Sequence, residues 1–180
     1  MAPSIPFTPF PKIPRHGGGC RILEKIDGTN ASVFIGEDGE FLVGSRTRWI
    51  TPEDDNFGFA RWAYNHKDEL LTLGPGHHFG EWWGAGIERR YGLSEKRFSL
   101  FDTGRWSDPA VRPACCHCVP LLYAGQYTDP AISETMAKLR ETGSIAAPGF
   151  MNPEGVVVYL PGAHWSFKKT FNKNKHKGKT

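Results

Sequence analysis

Glu24-Lys25-Ile26-Asp27-Gly28-Thr29-Asn30 joins two β-rich segments, Arg21 to Ile26 and Ala31 to Ile35, and Gly28 breaks one from the other. The pattern predicts a lysine at the end of a strand, immediately before a glycine turn. Taken alone, Lys-x-Asp-Gly describes many surface lysines. The segments around it decide what the lysine is for.

A third strand is predicted over Phe41 to Ser45, reached through Asp38-Gly39, a hairpin-turn signal. A helix is expected from about Phe57 to Leu71, capped by Asp54 or Asp55 and stopped by Gly74-Pro75-Gly76. His78 to Trp83, Arg97 to Asp102 and Val119 to Tyr123 read as buried strands. A second helix fits Pro130 to Arg140, ended by Gly143. Glu154 to Leu160 and His164 to Phe171 follow as strands around a Pro161-Gly162 turn. Many strands with two helices among them give an α+β fold with two mainly antiparallel sheets and flanking helices. Residues 1–20, rich in Pro and Gly, read as an extended arm, 21–171 as one domain, and 172–180 as a basic tail. Trp49, Trp82, Trp83 and Trp106 are expected to pack rather than to serve as stacking platforms.

Composition narrows the class. The 180 residues are 39% apolar and 23% charged, enough for one domain with a real core. No apolar run is long enough to span a bilayer, and no basic start followed by an apolar stretch suggests a secretory signal, so an intracellular, cytoplasmic protein without membrane contact is expected. Net charge is only +3, but Lys168, Lys169, Lys173, Lys175, Lys177 and Lys179 crowd one end, where a phosphate backbone would be attracted. Cys115-Cys116-His117-Cys118 invites a zinc reading, with His16 and Cys20 as completing ligands. The spacing is too tight for a ligand loop, and free thiols in a loop are the simpler reading.

The order of further motifs gives Lys25 its meaning. Lys25-Ile26-Asp27-Gly28, then Ser45-Arg46-Thr47-Arg48, Phe79-Gly80-Glu81-Trp82-Trp83-Gly84, Phe98-Ser99-Leu100-Phe101-Asp102, Glu154-Gly155-Val156-Val157-Val158 and Phe167-Lys168-Lys169 follow one another along the chain. This succession resembles the covalent nucleotidyltransferases, the superfamily of polynucleotide ligases and capping enzymes. Glu24 before the lysine and Thr29-Asn30 after the glycine are most similar to ATP-dependent RNA ligases of the RNA ligase 2 type. The resemblance spans Glu24 to Lys169 and implies the adenylation-domain fold of DNA and RNA ligases.

It also implies a chemistry. A lysine amine has a reference pKa near ~10.4 and must lose its proton to act as a nucleophile. Lys25 would attack the α-phosphorus of ATP, expel pyrophosphate and carry AMP. The AMP would pass to a 5′-phosphate, and a 3′-hydroxyl would then displace it to join the ends. By the same resemblance Glu24 would accept from the adenine amino group, Phe101 would stack on the base and Glu81 would bond the ribose. Arg46 would hold the ribose or the incoming 5′-phosphate. Lys168 with Lys169 would contact the α-phosphate, and Asn30 would serve sealing. Glu154 and Asp27 would act through Mg2+ or Mn2+, Asp27 through a metal-bound water or by ordering the turn. Nucleic acid, RNA ahead of DNA, is the implied partner.

Two departures stand out. The family usually separates two lysines by one residue in its last motif, whereas Lys168 and Lys169 are adjacent. The second place then falls to Ser166, Phe167, Thr170 or Phe171. These ligases also usually carry a further domain after that motif, so three expectations stand: a minimal enzyme, a partner protein that supplies the missing surface, or a chain that seals poorly alone. Two other readings stay open: a chain that adenylates another acceptor, and a non-catalytic nucleotide- or RNA-binding module.

Overall fold

A computed structural model describes residues 18–171. Most of the Pro- and Gly-rich arm, His16 and the basic tail from 172 onward lie outside the described residues. The strands are β1 (Gly19–Lys25), β2 (Thr29–Ile35), β3 (Phe41–Gly44), β4 (Trp49–Ile50), β5 (Gly76–Gly84), β6 (Lys96–Leu100), β7 (Cys116–Cys118), β8 (Leu121–Gln126), β9 (Gly155–Leu160) and β10 (Trp165–Thr170). The helices are α1 (Phe59–Asn65), α2 (Lys67–Leu71), α3 (Thr103–Trp106) and α4 (Asp129–Thr142). One sheet has the order β10-β9-β1-β8, the other β4-β3-β2-β5-β6-β7. Every pairing is antiparallel except β6 with β7. The expected α+β architecture with two sheets is therefore present.

Each sheet buries one face against helices. In the larger sheet, Val33, Val43, Trp82, Phe98 and Leu100 pack with Phe59, Ala60 and Leu70 of α1 and α2. In the smaller, Ile22, Val156 and Val158 pack with Ile132 and Leu139 of α4. Because side chains alternate along a strand, the opposite faces are left free to line a cleft. A third cluster of Ile26, Trp83, Tyr91, Val119 and Ala147 ties the sheets together at their junction.

Two chain crossings make that junction. The first is Ile26-Asp27-Gly28. A Cβ at Gly28 would sit 2.5 Å from the Trp82 carbonyl oxygen and 2.7 Å from Trp83 Cβ, so only glycine lets the turn lie against β5. The second is Val119-Pro120, where one buried strand over Val119 to Tyr123 was expected. The structure instead divides this region between sheets. Val119 N–H donates to the Leu100 carbonyl (3.0 Å) in the larger sheet, and the Pro120 carbonyl accepts from Glu24 N–H (2.9 Å) in the smaller. Proline has no N–H with which to continue a ladder, so the strand breaks there. β8 is an edge strand, and its side chains are half-buried or exposed.

The helix expected over Phe57 to Leu71 is two helices. His66 leaves the helical region (φ −111°, ψ 21°), and its Nδ1 lies 2.8 Å from the Trp62 carbonyl oxygen. The chain restarts as α2, whose first turn carries Asp68 and Glu69, the charges that a helix N-terminus favours. Asp55 does cap α1, but from outside its N-cap position, accepting from Ala60 N–H (2.7 Å) and Arg61 N–H (3.1 Å). Asp54 pairs with Arg48 instead. β4 and α3 have no counterpart in the sequence reading, and β1 begins at Gly19, inside the expected arm.

Candidate active site

Lys25 ends β1 opposite Gly155, which begins β9. That register sets the ammonium beside Glu154, with Nζ 2.7 Å from Oε2 and the two side chains 21% and 15% exposed. Lys25 lines the open space between the sheets, a cleft of about 870 Å3. A volume of this size holds a nucleotide-sized ligand. Arg21, Leu23, Lys25, Val157 and Lys168 line it from the smaller sheet. Asn30, Phe79, Glu81 and Phe101 line it from the larger, with Arg46 from the β3–β4 turn.

Glu81 lies deep in this cleft. Its carboxylate accepts from Gly28 N–H (3.1 Å) and from Asn30 Nδ2 (3.4 Å), its cross-strand neighbour. Burial raises its pKa to about 7, against the opposing effects of Lys25 and the Gly28 N–H. Phe101 stands just beyond β6, held by its N–H to the Phe79 carbonyl (2.9 Å), with its ring 37% exposed toward the cleft. Arg46 and Lys168 form no ion pair among the described residues, so both cations are available to a phosphate.

Glu24, Asp27 and Lys169 are engaged or turned elsewhere. Glu24 falls on the face of β1 opposite Lys25 and is only 2% exposed, at the border of the cleft. Its carboxylate is occupied by Ser144 Oγ (2.5 Å), Ile145 N–H (2.8 Å) and Ala146 N–H (3.0 Å). Burial raises its pKa against those three donors. Asp27 is bound by Arg89 Nε at 2.8 Å, and its backbone N–H donates to Tyr91 Oη at 2.7 Å. Of the two roles foreseen for Asp27, the geometry matches ordering the turn. Lys169 shares a face of β10 with Phe167, which packs on the α4 cluster, whereas Ser166 and Lys168 line the cleft. Alternation thus leaves Ser166 and Thr170 as the same-face neighbours of Lys168.

Val157 and Leu23 escaped the sequence reading. Their signal was alternation: Val156 and Val158 are core, so Val157 must face the other way, as Leu23 does beside Ile22. Arg89 left no signal at all, because it reaches Asp27 from an irregular loop. Trp82, Trp83 and Trp106 are buried as expected, but Trp49 is 49% exposed on the edge strand β4. The cysteines are free thiols, with Cys116 and Cys118 in β7 rather than in a loop. A hydrogen bond with Cys115 and burial keep the Cys116 thiol protonated, and burial pushes Cys118 up to about 11. Among the described residues no three His, Cys, Asp or Glu side chains are grouped to hold a metal, and no helix is long and apolar enough to cross a membrane. Glu154 and Glu81 nevertheless supply hard oxygen donors. That set fits a divalent ion arriving with phosphate oxygens as its other ligands, the usual habit of Mg2+.

Glu24→Gln puts an amide where three donors converge. It is expected to lower stability by about 2 kcal/mol in chemical denaturation, with the preference for one nucleotide over another unchanged. A changed nucleotide preference would instead assign the adenine contact to Glu24. Glu81 gives a pH signature. The native side chain keeps its proton up to about pH 7, while an unfolded glutamate releases it near the ordinary 4.5. The native state therefore binds more protons across that window, and stability falls as pH rises through it. Glu81→Gln removes this dependence. Its stability relative to wild type should rise by up to about 3 kcal/mol between the two pH values, measured by urea unfolding. A difference independent of pH would contradict the burial argument.

Comparison with known proteins matches the fold and the family. The family model described as RNA ligase matches residues 20–175. An apo variant of Naegleria gruberi RNA ligase superposes with a TM-score of 0.61 at 20% identity, covering 86% of this chain and 50% of that one. A variant of the same enzyme with ATP and Mn gives 0.60 at 20% identity, covering 86% and 49%. A third, with AMP and Mn, gives 0.59 at 18% identity, covering 86% and 50%. The chain thus spans about half the length of these structures. With the family model matched over most of its length, the chain belongs to the RNA ligase family.

Proposed function

We propose that residues 21–171 form a nucleotidyltransferase domain that uses ATP to charge Lys25 with AMP and passes it to the 5′-phosphate of a nucleic-acid end for joining to a 3′-hydroxyl. RNA is proposed ahead of DNA as the substrate. The observation that carries this is Lys25, paired with Glu154 at 2.7 Å and lining a nucleotide-sized cleft between two sheets. Naegleria gruberi RNA ligase has been solved with ATP and Mn, which supports the same nucleotide and a divalent ion here.

The residues divide the work by position. Phe101 and Val157 present apolar surface from the two sheets, between which a purine can lie flat. Glu81, with two donors already bound and an edge on the cleft, can accept from a ribose hydroxyl. Lys168 and Arg46 bring positive charge to the phosphates, where charge builds as Lys25 attacks. Glu154 holds the Lys25 ammonium in the free protein, so the amine becomes a nucleophile only after it leaves that partner and gives up a proton. Mg2+ or Mn2+, when bound at Glu154, supplies the positive charge that opposes the ammonium and steadies the leaving pyrophosphate. Asp27, clamped by Arg89, fixes the turn that aims Lys25, and Asn30 borders the acceptor side of the cleft.

An intracellular place of action fits the four cysteines, all of them free thiols.

With α-labelled ATP and Mg2+ or Mn2+, the chain is expected to take up label, and Glu154→Ala to slow uptake by about 10²-fold or more. Chased with 5′-phosphorylated RNA and DNA ends, the labelled chain should give its AMP to RNA faster. Label that never reaches a nucleic-acid end would favour another acceptor. Full-speed uptake by Glu154→Ala would contradict the mechanism.

A further inference from the structure

The cleft-facing side of the larger sheet does not end at the nucleotide site. Along β5 the same-face residues are Glu81, Phe79 and His77, spaced about 7 Å apart. Beyond Glu81 this row turns aromatic. The Phe79 and His77 rings are within 9° of parallel at 5.7 Å, and His77 continues to Trp49 at 6.1 Å and 23°. Phe34, the cross-strand partner of His77, fills the angle behind them at 4.6 Å. Phe79 is 58% exposed and Trp49 is 49% exposed, so this is a ladder of rings on the surface and not a core.

The ladder is built into the sheet. Trp49 lies across Gly44, where a Cβ would come within 3.3 Å of the indole and 2.5 Å of Ser32 Oγ. A larger residue at 44 would lift the ring off the strand. Charge is arranged to match. Arg48 is neutralised by two contacts to Asp54, leaving Arg46 as the unpaired cation of the same turn. Arg46, Phe79 and Phe101 line a side pocket of about 160 Å3 that shares those residues and Asn30 with the main cleft.

We propose that the Phe79–His77–Trp49 ladder is a stacking platform for the unpaired bases of a nucleic-acid strand whose end enters the cleft beside Arg46. This rests on the reading that the cleft handles nucleic-acid ends, and it sharpens the substrate to an end with single-stranded character. Exposed rings next to an unpaired cation are the features that bind unpaired bases without demanding a sequence. A fully paired strand keeps its base faces covered and cannot use them. Continuity with the cleft identifies a strand as the occupant, because the platform's first ring, Phe79, also lines the nucleotide site.

The test uses the full chain carrying Lys25→Ala, so that binding is read without turnover. A fluorescent 5′-phosphorylated single-stranded oligoribonucleotide, the matching DNA strand, and each annealed to its complement are titrated at fixed salt and followed by anisotropy. The single strands should bind more tightly than the duplexes. Adding Trp49→Ala or His77→Ala should weaken single-strand binding about tenfold each, and Trp49→Phe should recover most of the loss. RNA and DNA strands should lose by similar factors, since stacking ignores the sugar. Thermal melting identifies any variant that does not fold, and His77→Ala and Trp49→Ala stand as independent tests. Unchanged binding in both folded variants, or tighter binding of duplex than of single strand, would overturn the platform and leave this face to a protein partner. Label uptake from ATP by the wild-type chain without any oligonucleotide tests the catalytic reading separately, so the two can fail independently.

Discussion

The antiparallel pairing of Lys25 with Gly155 is the contact on which the rest of the site depends. It brings residue 154, the last before β9, beside the end of β1, and so sets the Lys25–Glu154 ion pair. Strand alternation then does two things with one dipeptide. Lys25 reaches into the cleft, while the Glu24 carboxylate gathers the Ser144–Ala146 segment. The same strand thus carries the proposed nucleophile and a structural anchor side by side. The Gly28 turn completes the arrangement by holding β5, and with it Glu81, close against the lysine turn.

The site is costly to the fold in a specific place. Glu81 is buried with two neutral donors, and burial alone pushes its pKa toward neutrality. An ionised carboxylate there is an expense that a purely structural residue would not retain. Asp27 solves the opposite problem: its charge is matched by Arg89, which ties down the turn before Gly28. The lysine proposed to leave Glu154 for a phosphate is therefore mounted beside a turn held by its own ion pair. Preorganisation of this kind is what a group-transfer site needs, because positioning and charge supply most of its rate.

Much of the chain could be read in advance because its strands are short and bounded by turn residues. Asp38-Gly39, Gly143 and Pro161-Gly162 mark real ends, and Lys25, Glu81 and Phe101, far apart in the chain, do converge on one cleft, with Glu154 paired to Lys25. What failed had physical causes. A residue's type does not reveal its face, so Lys169 was expected at the cleft although alternation turns it away, and nothing local told that Ser144, Ile145 and Ala146 hold the Glu24 carboxylate. Val119-Pro120 looked like continuous strand, because nothing local tells that a chain leaves one sheet for another. Trp49 was expected to be core because tryptophan usually is. Its exposure depends on Gly44 and on an edge strand of two residues, too short for any periodic signal. Arg89 acts from a loop across more than sixty positions, a contact that only folding creates.

The central claim is that one amine, Lys25, is the nucleophile. The most direct measurement is peptide mapping by mass spectrometry after incubation of the full chain with ATP and Mn2+. The account predicts an acid-labile AMP adduct on the peptide that contains Lys25, and on no other lysine. An adduct on Lys168 or Lys169, or the absence of any adduct with either Mg2+ or Mn2+, would contradict it.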